Sequence, residues 1–327
     1  MIALAVYGVA GAALLGIAHR ALRRISPRLA GALLILPLAF TGKALLTGRT
    51  LGPLDIAFQA PPLQALSGQY GVAVHNGALS DVHCQYQPWR AAVRWAWSHG
   101  EWPLLNPFSL CGDLLAPSAQ SGPYWPVNLI ALLAPPADTL ALTASLALLL
   151  AALGMLLFLR DLGCRESAAM LGAIGWAFSD FQIFWMGGGA LAQAAAGLPL
   201  VLLAVRRLVA SPGSRSVLVL AVSLTLCILP GHPETMAHVA LLGVLYGLWQ
   251  LWGIGWRPFL RAVGAALAGG AVALALTAVY LLPVVDALDQ SAEQVLRRGV
   301  YAHLDRSVEW SELGTHLLPS FVPFRYG

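Results

Sequence analysis

The chain has 327 residues, of which 58% are hydrophobic and only 10% charged. A water-soluble domain carries roughly 25% charged residues, so the composition excludes an ordinary soluble globule and implies a membrane. The formal charge of +4 comes with no basic tract, which leaves membrane lipid as an expected partner and nucleic acid as none.

The first apolar run, 2–18, is preceded by no charge beyond the initiator amine and followed by Arg20, Arg23, Arg24 and Arg28. A signal peptide has the reverse arrangement and a small-residue cleavage site, so a retained helix is expected here, its N-terminus outside. A helix needs roughly 20 apolar residues to cross a bilayer. Candidate spans fall at 1–18, 28–46, 138–159, 167–186, 189–205, 216–230, 237–252 and 261–284. The expected fold is therefore an all-α polytopic membrane protein of about eight transmembrane helices. It reads as a single transmembrane domain over 1–327.

With the N-terminus outside, the connections 19–27, 160–166, 206–215 and 253–260 face the cytoplasm. With their edges they hold Arg160, Arg165, Arg206, Arg207, Arg215, Arg257 and Arg261 besides the four already named. The short turns on the other side, near Gly187 and Gly231, hold no Lys or Arg. That asymmetry obeys the positive-inside rule and places a long segment, 47–137, and a tail, 286–327, on the non-cytoplasmic side.

The long segment is rich in Pro, Gly, Trp and Gln and reads as a structured loop. Within it, 88–99 is helical by pattern, with Trp89, Val93 and Trp97 on one face and Arg90 and Arg94 beside them. Such a stripe predicts a helix lying at the lipid headgroup level; the same pattern also suits an amphipathic helix packed on the loop's own core. Cys84 and Cys111 share the loop, so a disulfide between them is allowed on the outside. Cys164 and Cys227 read as bystanders, and no CxxC or His/Cys zinc spacing occurs. The chain stops at Phe324-Arg325-Tyr326-Gly327 without a closing span, as a truncated chain would.

Three stretches carry a family resemblance. The loop reads Ser80-Asp81-Val82-His83-Cys84-Gln85-Tyr86-Gln87-Pro88-Trp89, then Gly100-Glu101-Trp102-Pro103-Leu104-Leu105-Asn106-Pro107. It continues Gly112-Asp113-Leu114-Leu115-Ala116 and Gln120-Ser121-Gly122-Pro123-Tyr124-Trp125-Pro126-Val127-Asn128. Later come Pro230-Gly231-His232-Pro233-Glu234-Thr235 and Leu281-Leu282-Pro283, with Ser291 after them. In this order they resemble YfhO-type bacterial membrane proteins of the C-type (GT-C) glycosyltransferase superfamily. Leu105 stands where that family usually has Trp, and Asp113 where it usually has Pro.

The resemblance implies a transferase in a bacterial plasma membrane, multi-pass, with its N-terminus and active face non-cytoplasmic. Its donor would be a polyprenyl-phosphate-linked sugar, its acceptor a glycan, polymer or protein of the cell envelope. An acidic residue of the first outside loop would take the acceptor's proton, which points to Asp81. A carboxylate against lipid and aromatic surface loses hydration, and the raised pKa makes it a better base. Asp81 also suits the cap of the helix leading to Trp89, and the two roles are compatible. Asp55, in Gly52-Pro53-Leu54-Asp55, and Asp113 are secondary carboxylates, the first in a turn-type sequence.

His232 and Glu234 occupy a turn stiffened by Pro230 and Pro233, a placement suited to contacting phosphate or orienting a substrate. The plain alternative is a turn whose polar groups satisfy backbone. Arg90 and Arg94 match phosphate oxygens, or else snorkel at the interface; Arg297 and Arg298 are similar. Gln85, Asn106, Gln120 and Asn128 suit sugar hydroxyls, or the holding together of an irregular loop. Asp180 and Gln182 interrupt the fourth candidate span, and ionisable residues there default to function. Gln193 lies across the following glycine turn. No Asp-x-Asp pair, P-loop, GxGxxG or HExxH occurs. No cofactor is expected, and a divalent metal has no motif behind it. The competing functions are a transporter or flippase of lipid-linked substrates, and a non-catalytic envelope-assembly protein. The former wants a polar path through broken helices, whereas these spans are Ala/Leu/Val/Gly-rich.

Overall fold

A computed structural model describes residues 2–75, 77–187, 189–288 and residue 299. The described part belongs almost wholly to one compact unit, Met1–Val284. The sequence readings at Ser291, Arg297 and Arg298, and most of the tail 286–327, lie outside the described residues.

The fold is all-α apart from one two-stranded ladder. In order come α1 (Ile2–Ala21), α2 (Pro27–Ile35) and α3 (Leu38–Thr47), then the loop with α4 (Ser67–Tyr70), α5 (Gln87–Ser98), β1 (Leu105–Asn106), β2 (Asp113–Leu114) and α6 (Pro126–Ala131). The bundle resumes with α7 (Thr139–Asp161), α8 (Glu166–Ala177), α9 (Asp180–Trp185), α10 (Ala190–Ala196) and α11 (Leu198–Ala210). It ends with α12 (Ser214–Ile228), α13 (Pro233–Leu251) and α14 (Trp256–Leu288).

Helix α7 is the axis of the bundle. Its apolar window is 89% buried and it packs against α1, α3, α8, α10 and α11. Leucine and alanine run all round it, so it buries every face, as a helix without a polar side must. Where a hydroxyl occurs it is satisfied: the Ser145 hydroxyl lies 2.7 Å from both the Thr41 hydroxyl and the Ala141 carbonyl, either of which can take its proton. By contrast only 17% of the corresponding window of α14 is buried. Its Leu267, Leu274 and Leu282 are exposed, the pattern of a helix whose solvent is lipid.

Four helices are long and apolar enough to cross a membrane: α1, the stretch Pro136–Asp161, the stretch Ala190–Ala210, and α14. The pair α2–α3 makes a fifth if counted as one span bent by 67°. The bend falls at Pro37, whose ring removes the N–H that would reach the Leu33 carbonyl. The expectation of about eight spans therefore reduces to four or five by length and composition. The fourth candidate, 167–186, is cut where Ser179 adopts extended geometry and starts α9 afresh, leaving α8 at 12 residues, about 18 Å long. Helix α12 has 15 residues. Helix α13 has 19, but carries Glu234 in its first turn and His238 beyond it. All three still present exposed apolar side chains, among them Leu171, Leu218, Leu241 and Leu248.

The arginine-bearing connections meet at one end of the bundle. Arg23 donates to the Arg160 carbonyl (2.9 Å), Arg215 to the Ala21 carbonyl (2.5 Å), and Asp161 pairs with both Arg206 (3.1 Å) and Arg207 (2.9 Å).

Cutting into α7 should therefore cost far more than cutting into α14. We expect Leu149→Ala, at a fully buried site, to destabilise the protein by about 2–5 kcal/mol. Leu274→Ala, at an exposed one, should fall within about 0.5 kcal/mol of wild type. Thermal unfolding of both variants in detergent measures the contrast.

Candidate functional site

The loop is not an independent cap; it is stitched into the bundle through a polar seam. Trp125 is wholly buried and its indole N–H donates to the Leu226 carbonyl of α12 (3.1 Å). The next contact is backbone to backbone: the Gln120 N–H donates to the Gly231 carbonyl (2.8 Å). Ala119, Gln120 and Gly122 hold positive φ there, and so does Gly231. A Cβ on Gly231 would meet the Gln120 nitrogen at 2.9 Å, so only glycine admits the loop.

From this contact a chain of side chains leads back to the Ser-Asp segment. The side-chain Oε1 of Gln120 accepts from the Tyr86 hydroxyl. Tyr86 ends a π-helical turn, Val82–Tyr86, that begins just after Asp81 and runs straight into α5. Such turns are uncommon and often mark functional sites. Burial pushes the Tyr86 phenol up to about 12; the Asp81 carboxylate adds to the rise and Arg90 opposes it. The seam thus links Tyr86, Gln120 and the Gly231–His232 turn in one network, with the Asp81 carboxylate acting on it only through its charge.

One turn along α5 from Tyr86 stands Arg90. It is half-buried, the loss of hydration around its guanidinium draws its pKa down to about 10, and it donates to the Thr143 hydroxyl of α7 (3.1 Å). Gly189 leaves the space it occupies: a Cβ there would meet the Arg90 Nη2 at 2.4 Å. No carboxylate lies within ion-pair distance of Arg90 among the described residues. Beside it opens a cavity of ≈ 360 Å³ lined by Thr50, Gln87, Arg90, Arg94, Thr139 and Leu140, among others.

Arg94 is differently employed. It donates to the carbonyls of Leu132 (2.8 Å), Ala131 (3.1 Å) and Ala134 (2.8 Å), and to the Thr139 hydroxyl (3.2 Å). These carbonyls end α6 and begin the next turn, so Arg94 caps a helix C-terminus. The apolar stripe of α5 is likewise turned inward: Ala92 and Val93 pack on Leu115, and Trp97 meets Tyr124 and Trp102. The helix expected at the headgroup level is therefore packed on the loop's own core, because the hairpin β1–β2 covers its apolar face.

The remaining candidates sort by what their polar atoms already do. Asn128 donates to the Gly122 carbonyl (2.8 Å) and accepts from Gln193 (3.2 Å), so it binds loop to α10. Asn106 is buried and accepts from the Phe108 N–H (3.1 Å), shaping the hairpin. Asp113 pairs opposite Asn106 in the ladder and accepts from the Leu114 N–H (2.7 Å). Asp55 accepts from the His75 N–H (2.9 Å), which, as the leading cause, lowers its pKa.

Asp81, in contrast, is exposed and makes no hydrogen bond or ion pair among the described residues. The side-chain cap read for it is absent, and its carboxylate is not packed against aromatic or lipid-facing surface. Gln85 and Asp180 are also exposed, the latter in the first turn of α9. Gln182 is fully buried against α10, where its amide meets the Ala192 carbonyl and the Ala196 N–H. Cys84 and Cys111 are free thiols, one on the π-helical turn and the other at a left-handed corner, so the disulfide does not form. No cluster of three His, Cys, Asp or Glu suited to a metal occurs among the described residues.

His232 is the N-cap of α13. Its Nδ1 accepts from the Thr235 N–H (3.2 Å) and lies 2.8 Å from the Thr235 hydroxyl. Partial burial lowers its pKa; Glu234 raises it and His238 lowers it further. Glu234 itself is exposed. Tyr86, Thr143 and Trp125 are the seam residues that sequence reading passed over. Their only sequence signal was aromatic or hydroxyl character within otherwise apolar or loop segments. No protein-family model, curated protein or solved structure matches this chain.

Two outcomes follow. Gly231→Ala should cost about 1–3 kcal/mol, since it adds both left-handed strain and a backbone clash; thermal unfolding reads it. For His232, a depressed folded pKa means that the unfolded chain binds the proton more tightly. Its cap is then fully stabilising above the ordinary imidazole value of 6.5 and is lost as pH falls toward the lower folded value. Hydrogen exchange at the Thr235 amide should show this loss in wild type. In His232→Asn, whose amide caps without titrating, the loss should vanish.

Proposed function

We propose that this protein is a membrane glycosyltransferase of the C-type class, moving a sugar from a polyprenyl-phosphate donor to a cell-envelope glycan, polymer or protein. The work is done on the non-cytoplasmic side of a bacterial plasma membrane. The observation that carries this reading is the half-buried Arg90 guanidinium, without a carboxylate partner among the described residues, at the wall of the ≈ 360 Å³ cavity. That volume lies within the roughly 300–1,000 Å³ of ligand pockets. A cation drawn partly out of water with no internal counter-charge gains from a ligand that supplies one, and a phosphate fits a guanidinium fork. The resemblance of the loop to YfhO-type proteins supports the same reading.

In this reaction the acceptor hydroxyl attacks the anomeric carbon while the bond from that carbon to the phosphate oxygen breaks. The hydroxyl proton passes to Asp81, and polyprenyl phosphate departs with the electron pair. Arg90 stabilises the charge that develops on the leaving phosphate. Asp81 is favoured over its neighbours because its oxygens are uncommitted, whereas those of Asp55 and Asp113 hold backbone N–H groups. His232 and Gln120 form the opposite side of the seam and orient substrate.

The reading includes a finer topology. Helices α8, α12 and α13 are taken as shorter or more polar spans that complete eight, with the arginine-rich end cytoplasmic. Their exposed leucines support this, as does the gathering of arginines at one end.

The test is sugar transfer by membranes carrying each variant, with lipid-linked sugars and surface glycans compared with and without the gene. Asp81→Asn should lower the transfer rate by about 10²–10⁴-fold, and Arg90→Gln by about 10²–10³-fold, with unfolding temperatures held near wild type. Unchanged transfer in Asp81→Asn removes that residue as base. Unaltered lipid-linked sugars in the gene deletion remove the enzyme assignment.

A further inference from the structure

At the arginine-rich end of the bundle lies a second cavity, ≈ 830 Å³, between the ends of α7, α11, α12 and α13. Arg206, Arg207, Arg215, Ser211, Ser214 and Asp161 line it. Three guanidiniums there face a single carboxylate. Asp161 takes the Nε of Arg206 (3.1 Å) and of Arg207 (2.9 Å), and so holds both forks in fixed orientation. Arg206 makes no other hydrogen bond among the described residues, which leaves its two terminal amino groups unused. Arg215 is anchored by one bond to the Ala21 carbonyl.

A separate apolar cleft of ≈ 420 Å³ runs between α11, α12, α13 and α14, walled by Val205, Leu208, Leu248 and Leu267 among others. Val209 lines both spaces, and Gln250 of the first adjoins Leu251 of the second. The result is a cationic chamber opening beside an oily slot of the bundle. Soluble phosphates need only the chamber. A molecule with an anionic phosphodiester and a fatty chain uses both.

We propose that this double site binds an anionic glycerophospholipid, its headgroup phosphate between Arg206 and Arg215 and an acyl chain in the cleft. Basic pockets between membrane helices hold such headgroups, and the exposed apolar faces of α13 and α14 give the chain a lateral way in. The leaflet supplying the lipid follows from the orientation proposed above; the binding itself does not depend on that orientation or on sugar transfer.

Native mass spectrometry of the detergent-purified full chain tests it, with phosphatidylglycerol and phosphatidylcholine of matched chains as probes. Wild type should retain phosphatidylglycerol in preference. Arg215→Gln, which leaves the Asp161 clamp intact, should weaken retention about fivefold, and Arg206→Gln with it by a further similar factor. Ala266→Trp, placed in the cleft without altering charge, should weaken it as well. Glycerol 3-phosphate should not displace the lipid. Equal retention of the two lipids overturns the proposal, as does full retention in the double arginine variant. Displacement by glycerol 3-phosphate overturns the lipid assignment in favour of a soluble phosphate.

Discussion

The structure of this protein turns on one close approach: the backbone of residues 119–122 lying against the Pro230-Gly231 turn. The hydrogen bond from the Gln120 N–H to the Gly231 carbonyl requires left-handed backbone on both sides and no side chain at 231. Once it is made, the Tyr86 hydroxyl reaches Gln120, the π-helical turn is set, and α5 enters with Arg90 aimed at Thr143. Trp125 and Asn128 then fasten the same loop to α12 and α10. A long irregular segment stays ordered here because its polar groups find partners in the helix ends. The lipid-facing bundle has few such partners to offer anywhere else.

Arginine appears in several physical states, and the differences carry the functional reading. Arg94 spends its donors on carbonyls at the end of α6 and is structural. Arg206 and Arg207 share one carboxylate at the far end of the bundle. Arg90 is half-buried, with the Thr143 hydroxyl as its one hydrogen-bond partner among the described residues and a cavity at its side. Neither Arg94 nor Arg90 faces a carboxylate among the described residues, but Arg94 meets four acceptors and Arg90 one, so the two states differ in kind although the residues sit one turn apart on the same helix.

The carboxylates separate in the same way. Asp55 and Asp113 each hold a backbone N–H and shape the loop, while Asp81 has free oxygens beside the network that Tyr86 closes.

Composition and the charge asymmetry determined by themselves that this is an all-helical chain with several helices fit for a membrane. Period and arginine placement are local properties that need no partner to be read. The amphipathic α5 and the stiff turn at His232 were legible for the same reason. The number of helices long enough to cross was not, since Ser179 and Pro37 break apolar runs whose average composition looks continuous. Nor could sequence decide between two uses of α5's apolar stripe, because lipid and the hairpin's Leu115 are equally good oil; only the fold says which is adjacent. The division of labour between Arg90 and Arg94 was hidden likewise. Identical side chains four positions apart acquire different roles from what α6, α7 and Gly189 place around them.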